Sequence, residues 1–106
     1  MTALVIHCSC PDVATAERIA RTLVEEHLAA CVQVLPGMLS IYSWRGEVQQ
    51  ETEVLLLAKT TRERLDALKA RLDELHPYEM PELLALEAVD GLVPYLGWIE
   101  QEVQPQ

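Results

Sequence analysis

The donors of metal chemistry that stand out in this 106-residue chain are Cys8 and Cys10, one residue apart at the end of the first apolar run. Residues i and i+2 of a strand project the same way, so an extended segment would put both thiols on one side. Two soft thiolates and an imidazole suit Cu(I) or Zn(II). The C-x-C has no second pair at zinc-finger spacing, and cysteine is also among the most buried residue types as a plain small hydrophobe. Cys31, set in Leu-Ala-Ala-Cys-Val, reads as a core residue.

Of the three histidines, His27 falls near the end of a helical segment, where a cation complements the macrodipole. His7 alternates with Cys8 and so faces the other way, which separates the two as co-ligands. His76 opens the stretch His76-Pro77-Tyr78-Glu79-Met80-Pro81-Glu82. Its prolines stiffen a loop that gathers an imidazole, a phenol and carboxylates. Such a loop either stops a helix and solvates its end or presents polar groups to a pocket. Glu51 and Glu53 are one-face neighbours on a strand, the pattern of a solvated edge. No phosphate-binding glycine loop, zinc-protease helix or nucleophile elbow is present. Nothing assembles a nucleophile, a base and an oxyanion hole, so no enzyme is expected.

Eight basic residues against 17 acidic ones leave a net charge of -9. That field repels phosphate backbones and anionic membranes and attracts cations without selecting among them. Half of the residues are apolar, with 5% aromatic and no phenylalanine, so the core is aliphatic. An odd number of cysteines, no leader pattern and no membrane-length apolar run point to a cytoplasmic chain with free thiols.

The elements that must position these groups follow from periodicity. Residues 3–8 read as a strand and Asp12 as the N-cap of an amphipathic helix over 13–28. Cys31 to Trp44 and Glu47 to Lys59 alternate as two strands about the turn Arg45-Gly46, with Gly37 marking a bulge or bend. Thr60-Thr61-Arg62-Glu63 has the form of a capping box ahead of a second helix over 62–75. Glu82 to Val89 reads as a fourth strand, and a last helix covers about 92–103. The order β-α-β-β-α-β-α is that of an α+β, ferredoxin-like split βαβ sandwich with an antiparallel sheet, a single domain over 1–106.

Hairpin arms of about 13 residues extend roughly 43 Å, whereas a globule of this length is about 30 Å across. The hairpin therefore projects. A lone ribbon is marginal in water, so a neighbouring subunit's sheet is expected to receive it.

The chain resembles the CutA divalent-cation tolerance proteins over nearly its whole length. The matching stretches are Leu28-Ala29-Ala30-Cys31-Val32 with Pro36-Gly37, Ile41-Tyr42-Ser43-Trp44-Arg45-Gly46, Glu53 with Lys59-Thr60, His76 to Glu82, and Tyr95-Leu96-Gly97-Trp98. The resemblance implies a homotrimer joined through shared strands, a role in tolerance of metal ions, and binding of copper (Cu2+) or another divalent ion. It implies Cys8 and His76 as metal ligands. It also implies an inter-subunit cleft lined by Tyr42, Trp44, Glu53, Lys59, His76, Tyr78 and Glu79, where lysine beside glutamate and histidine would suit an anion or a metal-bound ligand. A signalling or scaffold role for that cleft, binding a small molecule or a partner, is the alternative. Some members carry two histidines before the proline where this chain has His76 alone, and Cys10 is an addition to the common pattern.

Overall fold

A computed structural model describes residues 2–105. The first strand, β1, runs Ala3–Cys10, two residues further than the sequence pattern indicates, and Pro11 ends it. Asp12 caps the first helix, α1 (Val13–Glu25): its side chain accepts the Thr15 N–H at 2.7 Å. The helix stops short of the expected residue 28 because His27 turns left-handed (φ 59°). The Leu28 N–H then closes back on the Leu23 carbonyl at 2.9 Å.

The long hairpin is β2 (Cys31–Trp44) and β3 (Glu47–Thr61). Arg45 and Gly46 both have positive φ, 52° and 83°, as a two-residue type I′ turn requires. The chain extends 44 × 26 × 22 Å, in keeping with the arm length expected from the residue count. Between Leu35↔Leu55 and Met38↔Glu53 the register slips. Pro36 and Gly37 (φ 84°) together oppose one residue, the expected bulge. The bulge changes the alternation of β2. Beyond it Met38, Ser40, Tyr42 and Trp44 share the face of Glu53 and Glu51; without it Leu39, Ile41 and Ser43 would stand there.

The capping box does not form. Thr60 belongs to β3, fully buried, and its hydroxyl donates to the Leu28 carbonyl at 2.7 Å. Thr61 makes no cap bond, and the chain enters the second helix through a 3-10 turn, Arg62–Arg64. That helix, α2, is Leu65–Leu75. The fourth strand is shorter than expected, β4 (Leu83–Glu87), because Pro81 offers no N–H to a ladder and Val89 runs out beyond β1 into solvent. The last helix, α3, is Val93–Glu102.

The sheet order is β2-β3-β1-β4, every pair antiparallel, as the split βαβ arrangement demands. Even-numbered residues of β1 face α1 and α2: Leu4, Ile6, Cys8 and Cys10 join Ala16, Ile19, Leu23, Leu68 and Leu72 in an aliphatic core. Ala3 instead joins a smaller cluster with Ala30, Ile99 and Val103, which seats α3. The rest of the face away from α1 and α2 is open. Leu35, Leu84 and Leu86 are 61%, 63% and 52% exposed there.

The Thr15 hydrogen bond holds the Asp12 carboxyl below its ordinary range. A lowered carboxyl stabilises the fold above its unfolded value, about pH 4. That contribution fades as pH falls through the lower folded value. Asp12→Asn, which caps without charge, is expected to flatten this part of the acid limb of a Tm-against-pH curve. Asp12→Ala is expected to lower Tm at every pH.

Candidate functional site

Alternation along β1 places Cys8 and Cys10 on the helix-facing side, and His76 follows directly on α2. One ligand atom from each lies within 4.8 Å of the other two, and all three residues are buried. No other group of three or more histidine, cysteine or acidic residues is so placed among the described residues. The thiols are free. Cys8 is pushed well above the ordinary thiol value, first by its hydrogen bond with Cys10 and then by burial. The same bond holds Cys10 below it. The pair thus holds one proton more firmly than the other.

His76 is hydrogen-bonded at both ring nitrogens. Its Nε2 donates to the Ser9 carbonyl at 2.7 Å, and its Nδ1 accepts the Tyr78 N–H at 3.2 Å. Cys10 Sγ lies 3.8 Å from Nε2. The Tyr78 ring tilts against the imidazole at 4.7 Å. Its hydroxyl reaches past the end of β1 and donates to Glu53 Oε2 at 2.6 Å. Glu53 is only 7% exposed, so it is not the solvated strand residue that alternation suggests. Burial first, then the Glu53 bond, raises the Tyr78 hydroxyl above its ordinary value. Thiols on one face of the sheet are thereby joined through His76 and Tyr78 to a carboxylate on the other.

That carboxylate opens into a groove of about 860 Å³ whose lining includes Tyr42, Trp44, Glu51, Glu53, Tyr78 and Glu79. Five of the expected cleft residues therefore do converge. Arg45 at the hairpin tip lies 5.3 Å over the Trp44 ring and 3.6 Å from Glu79. Lys59 does not join them. The ladder pairs it with Cys31 and Val5, well away from the tip, and its ammonium donates to Gln33 Oε1 at 2.7 Å. Nor does His76 line the groove; it touches it only through Tyr78. Cys31 is half-buried rather than core, because its register with Lys59 puts it on the open face.

Alternation pairs Cys10 with Cys8, and the fold brings His76 to the same place. One contribution escapes the sequence. His7 pairs with Glu82 at 2.7 Å on the groove side, and both line the groove.

The CutA1 divalent ion tolerance family matches residues 4–102. The chain belongs to that family. It is 46% identical over 97 residues to the divalent-cation tolerance protein CutA of Thermus thermophilus, covering 92% of this chain and 94% of that one. The solved CutA of Xylella fastidiosa superposes with a TM-score of 0.93 at 44% identity, covering 96% and 98% of the two chains. A CutA from Archaeoglobus fulgidus, described as periplasmic, superposes at 0.93 with 32% identity over 96% and 99%. Both likenesses bear out the fold and the family resemblance. CutA names describe tolerance to divalent ions and no reaction. No helix among the described residues is long and apolar enough to cross a membrane.

The Tyr78 hydroxyl supplies a hydrogen bond to a buried carboxylate. Tyr78→Phe, which keeps the ring, is expected to destabilise the fold by about 1–3 kcal/mol in urea unfolding, with the loss set by the unpaired Glu53 oxygen.

Proposed function

We propose that this CutA protein acts in tolerance of metal ions as a homotrimer that binds copper, with Cys8 and His76 as candidate ligands and Cys10 in reach of the same ion. The observation that carries the reading is the closeness of three buried S and N donors at the end of β1. Their chemistry fits a thiophilic transition metal. It does not fit magnesium or calcium, which take oxygen ligands, since no carboxylate belongs to the cluster. Free thiols favour a reducing, cytoplasmic setting. The reading includes no catalytic step and no nucleic-acid or membrane partner.

The trimer rests on unsatisfied surface. β2 is an edge strand, and residues Glu47–Glu53 of β3 pair with it alone, because β1 reaches β3 only from Val54 onward. That leaves a two-stranded ribbon projecting from a sheet whose other face exposes leucines. Strand sharing between copies would cover both.

A second reading has its own observation, the groove. Its ionisable lining is mainly carboxylate, and Lys59 lies outside it, so a small molecule held there would be a cation rather than a phosphate.

Copper titration of the reduced protein is expected to saturate near one ion per chain, and a Cys8→Ala, His76→Ala double variant is expected to lose at least about tenfold in affinity. Unchanged affinity would remove both residues from the site. Light scattering at micromolar concentration is expected to give three times the chain mass. Leu84→Asp together with Leu86→Asp, which charges the open face, is expected to shift that mass toward the monomer; a wild-type monomer sinks the trimer.

A further inference from the structure

We propose that Cys8 and Cys10, rather than Cys8 and His76, form the primary ligand pair, and that this dithiol selects copper in its monovalent state. The proposal rests on the reading that copper binds at the end of β1, and it names which atoms hold the ion and in which oxidation state.

The geometry separates the thiols from the imidazole. Cys8 and Cys10 alternate onto the same face of one strand, and their ligand atoms lie within 4.8 Å of each other. β1 pairs with β3 along its whole length, through Cys10, and with β4 as far as Cys8, so the backbone that carries the thiols is held by the sheet. The sulfurs are held only by weak thiol bonds, to each other, from Cys8 to the Ser9 carbonyl at 3.6 Å, and between Cys10 and His76 Nε2 at 3.8 Å. His76 is committed at both nitrogens. Ligation through Nε2 displaces the proton now given to Ser9 at 2.7 Å. The neutral ring must then carry its proton on Nδ1, where the Tyr78 N–H already points. The imidazole can ligate only if the His76–Tyr78 segment moves.

Coordination number then decides the ion. Zinc in a structural site takes four protein ligands, and divalent copper favours four nitrogen or oxygen donors in a plane. The cluster offers two sulfurs and one tethered nitrogen, enclosed among aliphatic side chains. A soft monovalent d10 ion is satisfied by two or three donors and prefers sulfur. On binding, each thiol releases its proton to solvent as its sulfur takes the ion. No electron is transferred when copper arrives already monovalent.

The test is competition for copper(I) against a chromophoric copper(I) chelator under anaerobic, reducing conditions. X-ray absorption on the loaded wild type counts sulfur neighbours. The expected result is two sulfur neighbours per copper. Cys10→Ser and Cys10→Ala are expected to weaken copper(I) binding by about 100-fold, and His76→Gln by less than about threefold. Zinc(II) is expected to bind the wild type far more weakly than copper(I). Circular dichroism establishes that each variant is folded, and the sulfur count on the wild type stands without any variant. One sulfur and one nitrogen neighbour, a His76→Gln loss as large as that of Cys8→Ser, or zinc(II) binding as tight as copper(I) would overturn the dithiol while leaving the copper site in place. Copper(I) binding indifferent to Cys8→Ser would instead overturn the site reading on which it rests.

Discussion

The pairing of β1 between β3 and β4 is the constraint on which the molecule depends. With both edges satisfied, the strand has no freedom to slip. A slip of one residue would turn Leu4, Ile6, Cys8 and Cys10 out of the core and bring Val5, His7 and Ser9 in. Fixed alternation sends two thiols toward the helices and the Ser9 carbonyl toward His76. It also leaves His7 free to pair with Glu82 on the opposite face. The chemistry at the end of the strand is a consequence of its register.

The second constraint is the bulge at Pro36-Gly37. It lets one continuous strand serve two surfaces, with Val32 and Val34 packed on the core and Tyr42 and Trp44 turned toward the carboxylates of β3. Glycine is suited to this place because φ there is 84°. The ribbon beyond it cannot be understood as part of one chain's core, since it meets no third strand. Its aromatic residues Tyr42 and Trp44 line a groove together with Tyr78 and Glu79 instead.

Much of this was legible from residue order. Alternation placed Cys8 and Cys10 together, the Arg45-Gly46 pair marked the turn, and the length of the two arms required a projecting hairpin. The misreadings share a cause: local pattern carries no register. Thr60 resembles the start of a capping box, yet the ladder draws it into β3, where its hydroxyl meets Leu28 across the fold. Lys59 lies close in sequence to Glu53, but about 20 Å separates residues six apart on an extended strand. Cys31 sits in an apolar run, but the register points it to the uncovered face. Glu53 looks like a solvent residue until Tyr78 is brought across to cover it.

The sheet order also sets a sequence in time. β1 precedes both of its partners in the chain, and β3 is complete only at Thr61. Until then its edges are unpaired and its two thiols have no core to enter. Chains fold as they emerge at a finite rate, so β1 passes through an interval of full exposure before it is enclosed. Cys8 and Cys10, among the least accessible residues of the finished molecule, are therefore on view early while it is being built. Any ion or oxidant near the nascent chain meets them before the fold closes.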